Sequence, residues 1–185
     1  MRTTLTTAAV TLSAAALTLG LAGPAAAEQY GVDDGLDTYH GSDILALSVK
    51  HGGDNVSVTS HHYGLRRDPR TGSGGTVFFD TDKSDKGPEF ALTGGFTSGT
   101  DYVLVETEGF NPKQFGDPVE HGDYMMKINY KLDRVRILVS RAALGDPEQV
   151  RVAMRASGNR TDGTSHGLVD WVGKKRWFTP WLDRN

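Results

Sequence analysis

The chain of 185 residues contains no cysteine. This absence excludes disulfide bonds, a cysteine nucleophile, thiolate metal ligands and a lipid anchor attached through cysteine. A folded domain made from this chain must therefore be stabilised by the packing of its core, alone or together with a bound metal ion.

An excess of charge of one sign is also lacking, because 20 basic and 23 acidic side chains give a formal net charge of −3. This balance argues against nucleic acid or an acidic membrane surface as an obligatory partner. No window after residue 27 shows a sustained helical period, which argues against a helical fold.

The one long apolar stretch covers residues 8–22 and follows the basic residue Arg2. Small residues at positions 25–27 offer a cleavage site, so residues 1–27 are predicted to be a secretory signal peptide. A membrane anchor is the alternative, but a run of about 15 residues is short for a span of about 20. We therefore expect a secreted, extracellular protein that is not inserted into a membrane; the sequence leaves its oligomeric state open.

Alternation of apolar and polar residues predicts strands along the rest of the chain. Residues 44–50 and 56–61 predict a hairpin in which Val56 and Val58 face the core, and residues 149–155 alternate in the same way. Glycine- and proline-rich turns separate about eight such segments. The pattern predicts an all-β fold, an antiparallel β-sandwich that is jelly-roll-like.

Removing 27 of the 185 residues leaves 158, which fits one domain. Residues 28–39 are interpreted as an N-terminal arm and residues 40–185 as a single β-sandwich domain. Residues 107–122 contain two prolines and three glycines and are predicted to form a long surface loop. Residues 140–145 predict one helical turn that ends at a glycine.

The acidic segment at residues 80–85 is the best candidate for metal chemistry. Its three carboxylates and two hydroxyls are oxygen ligands of the kind that Ca²⁺ prefers, which makes Asp80, Asp82 and Asp85 the candidate ligands. The segment is not an EF-hand, because Asp85 occupies the position that requires glycine. A solvated turn between two strands is the alternative interpretation, since Asp and Ser favour turns in any case.

The aromatic residues near the end of the sequence are the best candidates for ligand binding. Exposed aromatic rings on a sandwich can hold sugars by stacking, and these candidates are Trp171, Trp177, Phe178 and Trp181. The alternative is that the same residues complete the core as a final strand. Whether they are exposed decides between the two interpretations.

No set of residues predicts catalysis. Residues 163–167 match the G-x-S-x-G pattern of hydrolases, but a polar segment precedes them and no helix is predicted after them. None of the six histidines has the spacing of a known zinc motif. We therefore assign no catalytic residue.

Several segments resemble a group of small secreted proteins of actinobacteria. The segments are residues 41–44, 77–82, 87–90, 144–147 and 150–152, and the resemblance covers most of residues 40–155. Members of this group are similar to DOMON-type and carbohydrate-binding modules. The resemblance implies a β-sandwich and provides no catalytic residues, and a fold alone does not establish a function.

These observations favour a secreted, non-catalytic binding module for a glycan or cell-wall component, with calcium as a candidate stabiliser of residues 80–85. A protein-interaction or inhibitor domain acting through residues 107–122 is the second hypothesis. A secreted hydrolase whose acidic and histidine residues meet only in the fold is the third.

Overall fold

The structure is a computed structural model that describes residues 27–160 and 167–185. The described residues form twelve strands and three short 3-10 helices. The strands are β1 (Glu28–Asp33), β2 (Ile44–His51), β3 (Asn55–His62), β4 (Gly74–Asp80), β5 (Phe90–Gly95), β6 (Tyr102–Thr107), β7 (Phe115–Pro118), β8 (Tyr124–Asn129), β9 (Arg134–Ser140), β10 (Gln149–Asn159), β11 (Gly167–Trp171) and β12 (Leu182–Asp183). The 3-10 helices are Pro69–Thr71, Pro112–Gln114 and Ala142–Leu144.

The strands form two antiparallel sheets. The five-stranded sheet has the order β1-β2-β3-β9-β8, and the seven-stranded sheet has the order β11-β10-β4-β5-β6-β7, with β12 paired to β10. The predicted antiparallel β-sandwich is therefore confirmed. Because β10 pairs with β4, the sheet neighbours Arg151 and Asp80 lie directly opposite each other although 71 positions separate them in the sequence.

The core lies between the inner faces of the two sheets. Val56 and Val58 of the predicted hairpin are 0% and 1% exposed, which confirms that they face the core. On β10, Val150, Val152 and Met154 are equally buried, so Arg151 and Arg155, which alternate with them, point away from this core. Alternate side chains of each strand therefore face the core between the sheets. The others face solvent or, on the seven-stranded sheet, a second apolar cluster on its outer face.

Two regions differ from the sequence-based expectation. Residues 28–33, part of the predicted N-terminal arm, form the edge strand β1, which pairs with residues 46–51 of β2. The residues predicted as a long surface loop contain a 3-10 helix and β7, and Asn111 caps that helix by accepting a bond of 3.0 Å from the Lys113 amide. Together with β11 and β12, these short strands explain why the sandwich has more strands than expected.

The turn after β9 follows the sequence pattern closely. The hydroxyl of Ser140 accepts a hydrogen bond of 3.3 Å from the Ala143 amide, and Gly145 ends the 3-10 helix in the left-handed conformation with φ of 76°. Glycine adopts this conformation without steric cost, which explains why the turn stops there.

The predicted signal peptide lies outside the described residues, apart from Ala27, as do residues 163–166 of the hydrolase-like pattern. Among the described residues, no helix has the length and apolar character needed to cross a membrane.

Candidate functional site

The four aromatic residues predicted to bind a ligand are not brought together on one surface. Trp177 packs against the core between the sheets, where its ring centroid lies 6.3 Å from that of Tyr30. Trp171 and Phe178 pack on the outer face of the seven-stranded sheet, and Trp181 follows them close to β12. All four side chains are partly buried. Each therefore packs against the protein with part of its surface and leaves the rest exposed to solvent.

A cluster that we call the aromatic layer covers the outer face of the seven-stranded sheet. Phe78 is 0% exposed, and its ring stacks on Trp171 at 5.8 Å between centroids and an interplanar angle of 12°. Phe110 meets both rings edge-on, at 4.9 Å from Phe78 and 5.6 Å from Trp171. The layer comprises Phe78, Phe110, Phe115, Trp171 and Phe178. Trp171 is therefore primarily a packing residue that holds the chain after β11 on the sheet.

Arg151 lies at the border of this layer and is held from two sides. Its guanidinium carbon is 4.6 Å from the centroid of Phe178 and 4.7 Å from that of Trp181. Its Nε and Nη2 atoms donate to Oδ2 of Asp80 at 2.8 and 2.6 Å. The guanidinium thus combines a charge-assisted ion pair with cation–π contacts. A planar guanidinium suits both contacts better than the ammonium of a lysine would.

The Asp80 side chain is fully buried. Burial raises the pKa of its carboxyl to about 6, and the hydrogen bonds from Arg151 oppose that rise only in part. Its Oδ1 atom is buried and has no hydrogen-bond partner among the described residues. Arg151 therefore provides the side-chain hydrogen bonds to this carboxylate, and the backbone of Asp82 also lowers the pKa of Asp80.

A groove of about 580 Å³ opens beside the indole of Trp181, and we call it the Trp181 groove. The ammonium of Lys83 lies 5.2 Å from the centroid of the indole. The remaining polar walls include Thr81, Glu148, Gln149, Asp183 and Arg184. Two cations and two carboxylates balance one another in this lining, so the groove presents donors and acceptors around one aromatic ring without a dominant charge.

Hydrogen bonds within the walls give the Trp181 groove a defined shape. Gln149 donates through Nε2 to a carboxylate oxygen of Asp183, and Arg184 pairs with Glu148 at 3.1 Å. The strand register brings Gln149 and Asp183 together, because the two residues lie opposite each other in the β10–β12 pair. These polar groups keep further lone pairs and N–H groups that can face a ligand.

The three carboxylates predicted to bind calcium are held by protein groups. Asp80 pairs with Arg151, while Oδ1 of Asp82 accepts bonds of 2.8 and 2.7 Å from the amide and hydroxyl of Ser84. Asp85 accepts a bond of 2.6 Å from the Lys86 amide. Within residues 27–160 and 167–185, no group of three acidic or histidine side chains is arranged to hold a metal ion. The calcium hypothesis stays a prediction, and it requires a higher melting temperature in calcium than in EDTA.

Sequence reasoning missed Arg151, Lys83 and Gln149 as members of a site. The alternation of β10 indicates that Arg151 points outward, but nothing in the local pattern pairs it with a strand far away in the sequence. Lys83 belongs to the segment that the sequence connects with calcium, and the structure places its ammonium beside an indole instead.

No protein-family model matches the chain, and no curated protein matches it significantly. The resemblance to DOMON-type and carbohydrate-binding modules therefore stays a prediction.

Proposed function

We propose that the protein is a secreted, non-catalytic binding module that holds a glycan or cell-wall component in the Trp181 groove. The observation that carries this proposal is one partly exposed indole in a polar groove of about 580 Å³. A sugar ring offers an apolar face to an aromatic ring and hydroxyl groups around its edge. Each hydroxyl both donates and accepts, which suits walls made of amide, carboxylate and ammonium groups.

The balance of charge in the Trp181 groove favours an uncharged sugar. Lys83 and Arg184 provide positive charge, and Glu148 and Asp183 provide negative charge. A strongly charged ligand would meet repulsion from two of these groups, whereas sugar hydroxyls can hydrogen-bond to all four.

The groove is preferred over residues 107–122 as the binding element. The large apolar side chains of that segment, Phe110 and Phe115, already pack in the aromatic layer. Both rings are used in packing on the outer face of the sheet, and no fully exposed aromatic residue of the segment is left for a protein partner. A partner would have to rely on polar side chains and on the exposed Pro112 and Pro118.

Replacing Trp181 by alanine should weaken the binding of a glycan about tenfold, because stacking on one aromatic ring contributes about 1.4 kcal/mol. Binding is measured by titration calorimetry after a panel of neutral polysaccharides and peptidoglycan has been screened. Trp177→Ala is the matched control, because Trp177 packs on the core side of the sandwich and should affect stability without a specific effect on affinity.

Trp181 also packs on Arg151, so a second pair of variants keeps the test independent of folding. Lys83→Ala removes an exposed cation from the groove and should weaken binding about fivefold, as expected for one hydrogen bond. Lys174→Ala removes an exposed lysine outside the groove and should leave affinity unchanged. The proposal fails if no glycan binds at millimolar concentration, or if both groove variants bind as tightly as the wild type.

A further inference from the structure

The outer face of the five-stranded sheet carries a set of basic residues that we call the basic face. Its members are Lys50, Lys127, Arg134 and Arg136. Each lies on a strand whose alternate residues are buried in the core or packed against it, so these four side chains point away from the core. Lys50, Lys127 and Arg136 are exposed, and Arg134 is partly exposed.

The register arranges this face in rows across the strands. One row contains Ser48, Thr59, Arg136 and Lys127 on β2, β3, β9 and β8 in turn. Arg134 lies two positions from Arg136 on β9, which corresponds to about 7 Å along the strand. The face therefore presents several cations at short, regular spacing, with hydroxyl groups between them.

Two adjoining grooves run over this face, with volumes of about 230 and 550 Å³. Arg134 and Arg136 line both grooves, so the two form one continuous depression. The larger groove extends past Lys131 to Arg67, which lies 4.5 Å above the ring of Tyr130. No aspartate or glutamate is part of either lining.

The charges on the basic face are not compensated within the described part of the chain. None of its four cations lies within 4.0 Å of a carboxylate there. Asp33 shares the outer face but lies on the edge strand β1, three strands from β9 and thus about 14 Å away. Asp133, in the turn before β9, uses Oδ1 to accept a bond of 2.7 Å from the Leu65 amide.

A second observation shows that this arrangement opposes stability. Arg136 and Lys127 lie directly opposite each other in the β8–β9 pair. Like charges in this position destabilise a sheet, and a residue of opposite sign at either position would remove the repulsion. Of the acidic residues that the structure describes, none lies opposite either of these two. A binding role accounts for such a pair where a structural role does not.

We propose that the basic face binds an acidic polysaccharide, a chain in which oxyanions repeat between sugar hydroxyls. The guanidinium groups of Arg134 and Arg136 offer paired donors to carboxylate, sulfate or phosphate. Gln29, Ser48, Ser57 and Thr59 line the smaller groove and can hydrogen-bond to hydroxyl groups. This surface is separate from the Trp181 groove, which faces a ligand without net charge.

A polysaccharide fits this face better than a nucleic acid or a lipid surface does. Successive bases of a nucleic acid would need a row of aromatic rings, and Tyr130 is the one aromatic residue lining the two grooves. Ile128 is the one aliphatic side chain in either lining and is partly buried, so exposed apolar groups that could enter a bilayer are also lacking there.

The test compares binding of the full-length secreted protein to polygalacturonate, dextran sulfate and neutral dextran. Binding to one or both acidic polymers and not to dextran is expected, and a fourfold rise in salt should weaken it at least about tenfold. Preference between the two acidic polymers identifies the oxyanion. Tighter binding to double-stranded DNA or to phosphatidylglycerol vesicles would overturn the choice of partner.

The decisive variant is Lys127→Gln/Arg136→Gln, with Lys174→Gln/Lys175→Gln as the control that changes net charge equally. The first should lose at least about tenfold in affinity for the acidic polymer, and the control should lose little. The first variant should also keep or raise the melting temperature, because it removes a like-charge pair.

Equal losses of affinity in the two variants would mean that only net charge matters and would overturn the site. Trp181→Ala should bind the acidic polymer as the wild type does, which separates this inference from the proposed function.

Discussion

Replacing Arg151 by methionine should lower the free energy of unfolding by about 3 kcal/mol near pH 8 and by clearly less near pH 5. The reason is that Asp80 is 0% exposed and Arg151 provides the only side-chain bonds to its carboxylate among the described residues. Methionine keeps much of the apolar contact with Phe178 and Trp181 while removing the charge. We expect a loss of free energy at the lower end of the range for breaking a buried ion pair. The reason is that the Arg151 side chain is 30% exposed, so solvent screens its charge.

The pH dependence follows from the raised pKa of Asp80, which is about 6 in the folded protein. Between an unfolded value of 3.8 and that folded value, the native state binds more protons than the unfolded chain. The contribution of Asp80 to stability is therefore fully present below about pH 4 and is lost as the pH rises through about 6. Without Arg151 the pKa of Asp80 rises further, so the loss grows with pH.

Urea denaturation of the wild type, Arg151→Met, Asp80→Asn and the double variant measures this coupling. In the Asp80→Asn background, Arg151→Met should have a much smaller effect near pH 8, because no buried charge is left unpaired. If Arg151→Met lowers stability equally at both pH values, its role is packing on the two aromatic rings and not compensation of Asp80.

For the Asp80–Arg151 pair, the sequence predicts the orientation of one side chain but not the contact between the two. Alternation predicts that Arg151 points away from the core, and the structure confirms it. The position of Asp80 at the end of β4 depends on which strands become neighbours. Strand order is a tertiary property, so the acidic composition of residues 80–85 indicated oxygen ligands but could not indicate that Arg151 would occupy one of them.

The positions of the aromatic residues also depend on the tertiary structure and could not be predicted from the sequence. Trp171 and Trp177 belong to adjacent segments, yet Trp177 packs against the core between the sheets and Trp171 packs on the outer face of the seven-stranded sheet. Composition predicts that such residues either bind a ligand or pack, and the choice depends on what covers each face. β1 was missed because its residues are mostly polar, and its pairing with β2 shows only in the structure.

Net charge is the least informative of the sequence properties in this protein. A value of −3 argues against polyanionic partners when it is averaged over the chain. The sheet order nevertheless brings Lys50, Lys127 and Arg136 from three strands to one face, while most acidic residues lie elsewhere. These residues lie far apart in the sequence, and only the topology places them together.

Acidification from about pH 6.5 to about pH 4 should remove about 3 kcal/mol of stability through His62 alone. His62 is 2% exposed, and burial lowers its pKa from 6.5 to about 4. Its Nε2 atom lies 2.8 Å from the Ser60 hydroxyl, and its ring meets Phe96 edge-on at 5.1 Å. The unfolded chain binds a proton at this residue over that pH range and the native state does not, so stability rises with pH between the two values.

His62→Gln isolates this contribution, because the amide keeps a hydrogen bond to Ser60 within reach and does not titrate. The wild-type curve alone is not diagnostic, since the raised pKa of Asp80 acts in the opposite direction over nearly the same range. The difference in free energy of unfolding between wild type and His62→Gln should therefore be measured by urea denaturation at each pH. It should shrink by about 3 kcal/mol from pH 6.5 to pH 4. A pH-independent difference for His62→Gln would show that the core accepts a charged imidazole, and that acid sensitivity arises elsewhere.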